Sequence, residues 1–181
     1  IDPERKLATE IVLTIARRNN DKEDQLWVGT INGISIYDFV NNQWTHENWS
    51  DNYFGWGGVL DLNILDDNSI IANTSGGGIG IYQTGWTFYK NSNSPFISNI
   101  VNTSVQEYKG SLWFGFAYST EPGGYLMRLD KDNQWDKYFS NTSGYQEGEP
   151  LDLFIDNSGR LWVATNGTGI QTFFKEENSG D

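Results

Sequence analysis

An all-β fold of four-stranded antiparallel blades arranged as a β-propeller is what this sequence predicts, and three observations predict it. A Trp-bearing strand motif recurs at Leu26-Trp27-Val28-Gly29-Thr30, Leu112-Trp113-Phe114-Gly115 and Leu161-Trp162-Val163-Ala164-Thr165, with Ile70-Ile71-Ala72-Asn73-Thr74 as a degenerate copy. Each copy leads through a Gly-containing turn into a second strand: Gly33-Ile34-Ser35-Ile36-Tyr37, Gly78-Ile79-Gly80-Ile81-Tyr82, Gly124-Tyr125-Leu126-Met127-Arg128-Leu129 and Gly169-Ile170-Gln171-Thr172-Phe173. The composition, with 8 Trp, 9 Tyr, 10 Phe and 20 Gly but only 4 Pro, is that of strands and turns.

The remaining strands follow in order. Three copies continue through a polar turn to another Trp strand, at Asn42-Gln43-Trp44, Thr84-Gly85-Trp86 and Asn133-Gln134-Trp135. Their spacing is that of a four-stranded repeat of roughly 40–50 residues. Upstream of each central strand lies one more apolar stretch: Ile11 to Ile15, Val59 to Ile64, Ile100 to Val105, and Leu151 to Ile155. Asx- and Gly-rich segments such as Asp156-Asn157-Ser158-Gly159, Asp66-Asp67-Asn68-Ser69 and Asp132-Asn133 supply left-handed or type I turn geometry between strands. Strands apolar on both faces suit a small sheet held between two neighbours, and a small residue after the aromatic pair lets the next blade approach. A helical solenoid is excluded by the absence of a sustained 3.6-residue apolar period. A β-sandwich gives no reason to repeat the Leu-Trp motif.

The whole chain, 1–181, reads as one propeller domain with blades at 11–55, 56–98, 99–150 and 151–174, followed by a polar tail at 175–181. About four blades are visible. The fourth stops after its third strand, and residues 1–10 hold no counterpart of Trp44, Trp86 or Trp135, so the chain is expected to be part of a larger propeller. An open blade flank would then favour self-association. The start at Ile1, with no apolar signal core, likewise reads as cut from something longer.

Charge narrows the partners. With 24 acidic and 12 basic side chains the formal net charge is −12, which repels nucleic-acid backbones and anionic lipid surfaces. No apolar run approaches the roughly 20 residues of a membrane span, so direct membrane insertion is not expected. There is no cysteine and hence no disulfide framework. No cofactor-binding motif is present.

The pattern Asp-x-x-Gly-x-Leu-Trp-Val-Gly/Ala-Thr, followed by Gly-Ile-x-x-Tyr/Phe, is clearest at Asp156 to Phe173 and nearly as good at Gln25 to Tyr37. It resembles the two-component-regulator propeller repeat of extracytoplasmic sensor domains in bacterial hybrid histidine kinases, found also in secreted proteins. The resemblance covers residues 11 to 174. It implies a periplasmic or extracellular, non-catalytic recognition or sensor module, with oligosaccharide as the ligand class associated with such sensors.

In a propeller the loops joining strand two to three, and strand four to the next blade, share one face, where function usually lies. The most aromatic of these loops is Trp49-Ser50-Asp51-Asn52-Tyr53-Phe54-Gly55-Trp56. Trp49, Asp51, Tyr53, Phe54 and Trp56 are the candidate ligand-binding residues, flat rings beside hydroxyl-fixing polar groups, with Phe116, Tyr118, Glu121 and Tyr145 closing the site from other blades. Against this, Trp56 also reads as the start of the next blade's packing and Trp49 as cover for a blade edge. The repeated tryptophans read as structural. No catalytic residue is assigned: His46, the only histidine, reads as a surface residue on an outer strand, and no cluster suits zinc. Asp130-Lys131-Asp132-Asn133-Gln134 lacks the Gly and Glu of a calcium loop and reads as a turn. Two other function classes stay open: a structural or protein-interaction propeller that self-associates, and a lyase or glycoside hydrolase using acids such as Asp51, Glu121, Glu147 and Glu149.

Overall fold

Fifteen strands and no helix make up the described residues of the computed structural model, which are 7, 9–48, 57–108, 110–117, 123–139 and 144–173. The first sheet holds β1 (Val12–Asn19), β2 (Asp24–Thr30), β3 (Gly33–Asp38) and β4 (Gln43–Asn48). The second holds β5 (Val59–Ile64), β6 (Ile70–Thr74), β7 (Ile79–Tyr82) and β8 (Trp86–Tyr89). The third holds β9 (Val101–Gln106), β10 (Leu112–Phe116), β11 (Tyr125–Leu129) and β12 (Trp135–Tyr138). The last holds β13 (Glu149–Ile155), β14 (Leu161–Asn166) and β15 (Gly169–Phe173). Every sheet is an antiparallel meander in chain order, the arrangement of propeller blades.

Two strands run further than the apolar pattern predicts. The first continues through Arg17, Arg18 and Asn19 because Arg17 pairs with Asp24 at 2.9 Å and Arg18 with Glu23 at 3.0 Å across the β1–β2 ladder. Strand β13 begins at Glu149 and includes Pro150. It is an edge strand with a bulge between Pro150 and Asp152, a place where a residue without an N–H is tolerated.

The blades pack face to face in chain order. Trp27, Ile34 and Ile36 of the first sheet meet Val59, Leu62, Ile70 and Ala72 of the second. Ile71 and Ile79 on its other side meet Val101, Phe114, Phe116, Tyr125 and Met127 of the third. Trp113 and Leu126 then face Leu153, Leu161 and Val163 of the fourth. β6, β10 and β11 are buried along their whole length, as strands covered on both sides must be. At the two ends of the array the outward faces are open, with Ile15 on β1 at 64% exposure and Phe154 and Ile170 on the fourth blade at 62% and 72%.

The small residue of the motif does what its position requires. A Cβ on Gly29 would come within 3.0 Å of Val59 on the next blade, and one on Gly115 within 2.7 Å of Pro150. The acid of the Asp-x-x-Gly-x-Leu-Trp pattern has a role of its own, since the Trp162 indole N–H donates to Asp156 at 2.8 Å and that of Trp113 donates to Glu107, six residues upstream in each case. Asn42 and Asn133 adopt positive φ (52° and 60°) at the turns before the outer Trp strands.

Candidate functional site

The loop face lies at the common end of the sheets where β2, β4, β6, β8, β10, β12 and β14 finish. Main-chain hydrogen bonds within and between successive blades knit it together. Gly57 N–H donates to the Ser75 carbonyl at 3.0 Å, and Ser75 N–H returns to the Gly58 carbonyl at 2.9 Å. The Asn99 carbonyl receives both Gly76 (3.0 Å) and Gly78 (2.9 Å), while Ala117 donates to Ile100 at 3.0 Å and Gly148 to Gly123 at 3.1 Å. Glycine is required at one of these approaches: at Gly58, with φ +98°, a Cβ would meet the Ile31 Cα at 2.8 Å.

Beneath the rim, side chains fix the loops from inside. The Tyr125 hydroxyl accepts the N–H groups of Ile97 (2.9 Å) and Ser98 (3.0 Å), and burial pushes its phenol upward despite those bonds. The Tyr145 hydroxyl donates to the Gly148 carbonyl, and burial, with Glu149 adding to it, raises that phenol strongly. The 144–148 loop is tied a second time by Gln171, whose amide oxygen accepts Gln146 N–H at 2.8 Å and whose Nε2 donates to the Thr168 hydroxyl at 2.8 Å.

Of the expected ligand-binding residues, Trp49, Asp51, Tyr53, Phe54, Trp56, Tyr118 and Glu121 lie outside the described residues, though the described residues on either side of them end on this face. Phe116 and Tyr145 are described, and both are fully buried. Phe116 stacks on Tyr125 at 4.6 Å and 10° and meets Phe96 edge-on at 4.8 Å. Tyr145 lies in the apolar layer between the third and fourth blades. Both support the rim from below; neither presents a ring to solvent. Glu147 is exposed, whereas Glu149 is half-buried and accepts the Asn102 amide at 2.9 Å. His46 is half-buried rather than superficial, with Nδ1 3.0 Å from the hydroxyl of the buried Ser35 across the β3–β4 ladder.

Sequence reasoning missed a polar contact between the second and third blades. The Asp61 carboxylate on β5 accepts the amides of Asn63 (2.7 Å) and Asn73 (3.2 Å) and the N–H of Ser104 (3.1 Å) on the neighbouring blade. Burial raises its affinity for a proton above that of an ordinary aspartate, against the pull of those donors. The signal was present in the repeat, since Asn73 stands where the other motifs carry Gly or Ala. Among the described residues no group of three or more His, Cys, Asp or Glu gathers as a metal site would require, and no helix is long and apolar enough to cross a membrane.

No protein-family model and no curated protein sequence matches the chain. Solved structures do. The chain is similar to the extracellular domain of BT4673 from B. thetaiotaomicron, described as a hybrid two-component system, at TM-score 0.73 and 20% identity over 98% of this chain and 22% of that one. It is similar to a streptogramin B lyase at TM-score 0.63 and 17% identity, covering 96% and 58% of the two chains. An auxiliary nutrient binding protein from Bacteroides thetaiotaomicron VPI-5482 matches at TM-score 0.57 and 12% identity, covering 86% and 36%. The chain spans less than a quarter of the BT4673 domain. At such identities the likeness concerns the fold, and together with the four meander sheets it establishes a β-propeller architecture.

Proposed function

We propose that this chain is part of an extracytoplasmic, non-catalytic recognition or sensor propeller that takes an oligosaccharide on its loop face, within the two-component-regulator propeller family its repeats resemble. The observation that carries this reading is the backbone-knit rim from Gly57 to Ser75 and on to Asn99, a preformed mount for the unrepeated aromatic segment 49–56. Two similar structures, the extracellular domain of a hybrid two-component system and an auxiliary nutrient binding protein, support this reading. Trp49, Asp51, Tyr53, Phe54, Trp56, Tyr118 and Glu121 are the groups proposed to touch ligand, with Phe116 and Tyr145 acting from beneath. Titration with neutral oligosaccharides is expected to quench Trp fluorescence saturably, and Trp49→Ala to weaken the effect. A broad glycan array without a hit would remove the sugar assignment.

The open flanks favour a second reading, self-association through the exposed face that carries Phe154 and Ile170. Light scattering is expected to show mass rising with concentration, and a Phe154→Ser, Ile170→Ser double variant to abolish the rise. A strictly monomeric particle at all concentrations rejects it.

A further inference from the structure

At the end of the sheets opposite the loop face, a cleft of about 330 Å³ runs between the second and third blades. Its apolar walls are Leu65, Ile81, Tyr89, Leu112 and Leu129. The repeat explains why a cleft opens here and which shape it has. In the first interface the indole of Trp27 fills the space between blades, 5.3 Å from the Tyr82 ring and 6.2 Å from Trp86. In the third, Trp113 does so among Leu153, Leu161 and Val163 of the fourth blade. The second blade carries Ile71 at the Trp position, and the third carries Leu129 in the register of Tyr82, opposite the motif's first aliphatic residue. Two rings are thereby replaced by two shorter aliphatic side chains. Leu65, six residues before Ile71, stands where Glu107 and Asp156 accept an indole N–H in the following blades.

The polar groups at the mouth are supplied differently. Asp67 and Asp130 line it together with Lys131, a balance of one net negative charge on a chain of formal charge −12. Each acid directs one oxygen to its own turn, Asp67 to Ser69 N–H at 2.9 Å and Asp130 to Gln134 N–H at 2.8 Å. A ligand seated here meets aliphatic walls in the place of an indole and an acidic edge where it emerges. The volume lies at the lower end of the roughly 300–1,000 Å³ usual for small-molecule sites.

We propose that the cleft between the second and third blades is a binding site for a small planar aromatic amine, its ring held among Leu65, Ile81, Leu112 and Leu129 and its ammonium directed to Asp67 and Asp130. The site is separate from the loop face and does not depend on what that face binds. Aromatic contact area supplies the attraction and the acidic mouth selects the charge.

The test uses the full chain and three probes that share a ring and differ in charge: tryptamine, indole and indole-3-acetate. Amide NMR titration is expected to show saturable shifts confined to residues 65–69, 81–89, 106–112 and 129–133, strongest for tryptamine and weakest for indole-3-acetate, with added salt weakening tryptamine selectively. Ile71→Trp places the repeat's own indole in the cleft and is expected to weaken tryptamine at least about tenfold, about 1.4 kcal/mol. Ile71 is fully buried, so Thr87→Trp, at an exposed position on the cleft wall, serves as a second block that does not depend on repacking the core. Absence of saturable shifts with all three probes overturns the proposal, as do shifts that map elsewhere or tryptamine binding that survives unchanged in a folded blocked variant.

Discussion

The interface between the first and second blades and that between the second and third are built on the same register with opposite chemistry. In the first, Trp27 wedges between the sheets and Gly29 lets Val59 come close, so the centre of the contact is apolar, with the Arg18 guanidinium lying over the Tyr82 ring at 5.8 Å. In the second, Ile71 replaces the wedge and Asn73 replaces the glycine, leaving a cleft at one end and a clasp of Asp61, Asn63, Asn73 and Ser104 at the other. A repeat can therefore keep its backbone and change the character of its interface through two positions. The wedge sets whether the interface is solid, and the small residue sets whether polar groups fit behind it.

Four substitutions break or sharpen that contrast. The largest effect is expected from Trp113→Ala, which strips the wedge of the third interface together with its bond to Glu107 and should cost about 3–5 kcal/mol in urea unfolding. A loss no greater than that of a surface substitution would refute the wedge role. Asn73→Gly installs the motif's usual residue in the second interface but removes an amide donor from Asp61 and from the Ser104 hydroxyl. The expected cost is about 1–3 kcal/mol, whereas a gain in stability would mean the clasp is dispensable.

The smallest effect is one of pH. Asp61 is raised in the folded protein, first by burial, so the native state holds a proton that the unfolded chain has already released. Its contribution to stability consequently falls as pH rises from the ordinary aspartate range through the folded value. Asp156 runs the other way. Hydrogen bonds from Ser158, then Trp162, lower it, and the stability it confers is present above the ordinary aspartate range and lost on acidification. Melting curves across the acid range are expected to show Asp61→Asn flattening the loss on the alkaline side and Asp156→Asn flattening the loss on the acid side. Identical pH profiles for the two variants would contradict both assignments.

Much of the blade plan was legible in the chain because alternation, Gly and Asx turns and a recurrent Trp are local signals. Trp27, Trp113, Gly29 and Gly115 read directly from spacing and behave as spacing requires. The placement of Phe116 and Tyr145 was not legible in the same way. Both sit on or beside loops of the expected face, but whether a ring points outward or into the next blade depends on what that blade presents. Asn73 and Ile71 were visible as departures from the motif, yet their meaning required Ser104 and Leu129, more than thirty residues away in sequence.

The sequence by itself determined the all-β meander, the strand order within each blade and the stacking of blades in chain order, because each follows from local periodicity and short connections. Only the tertiary structure decided which gaps between blades are filled, where a carboxylate lies buried against a neighbour's backbone, and which aromatics face inward. Those outcomes depend on side chains meeting across sheets, and no local pattern encodes the distance between them.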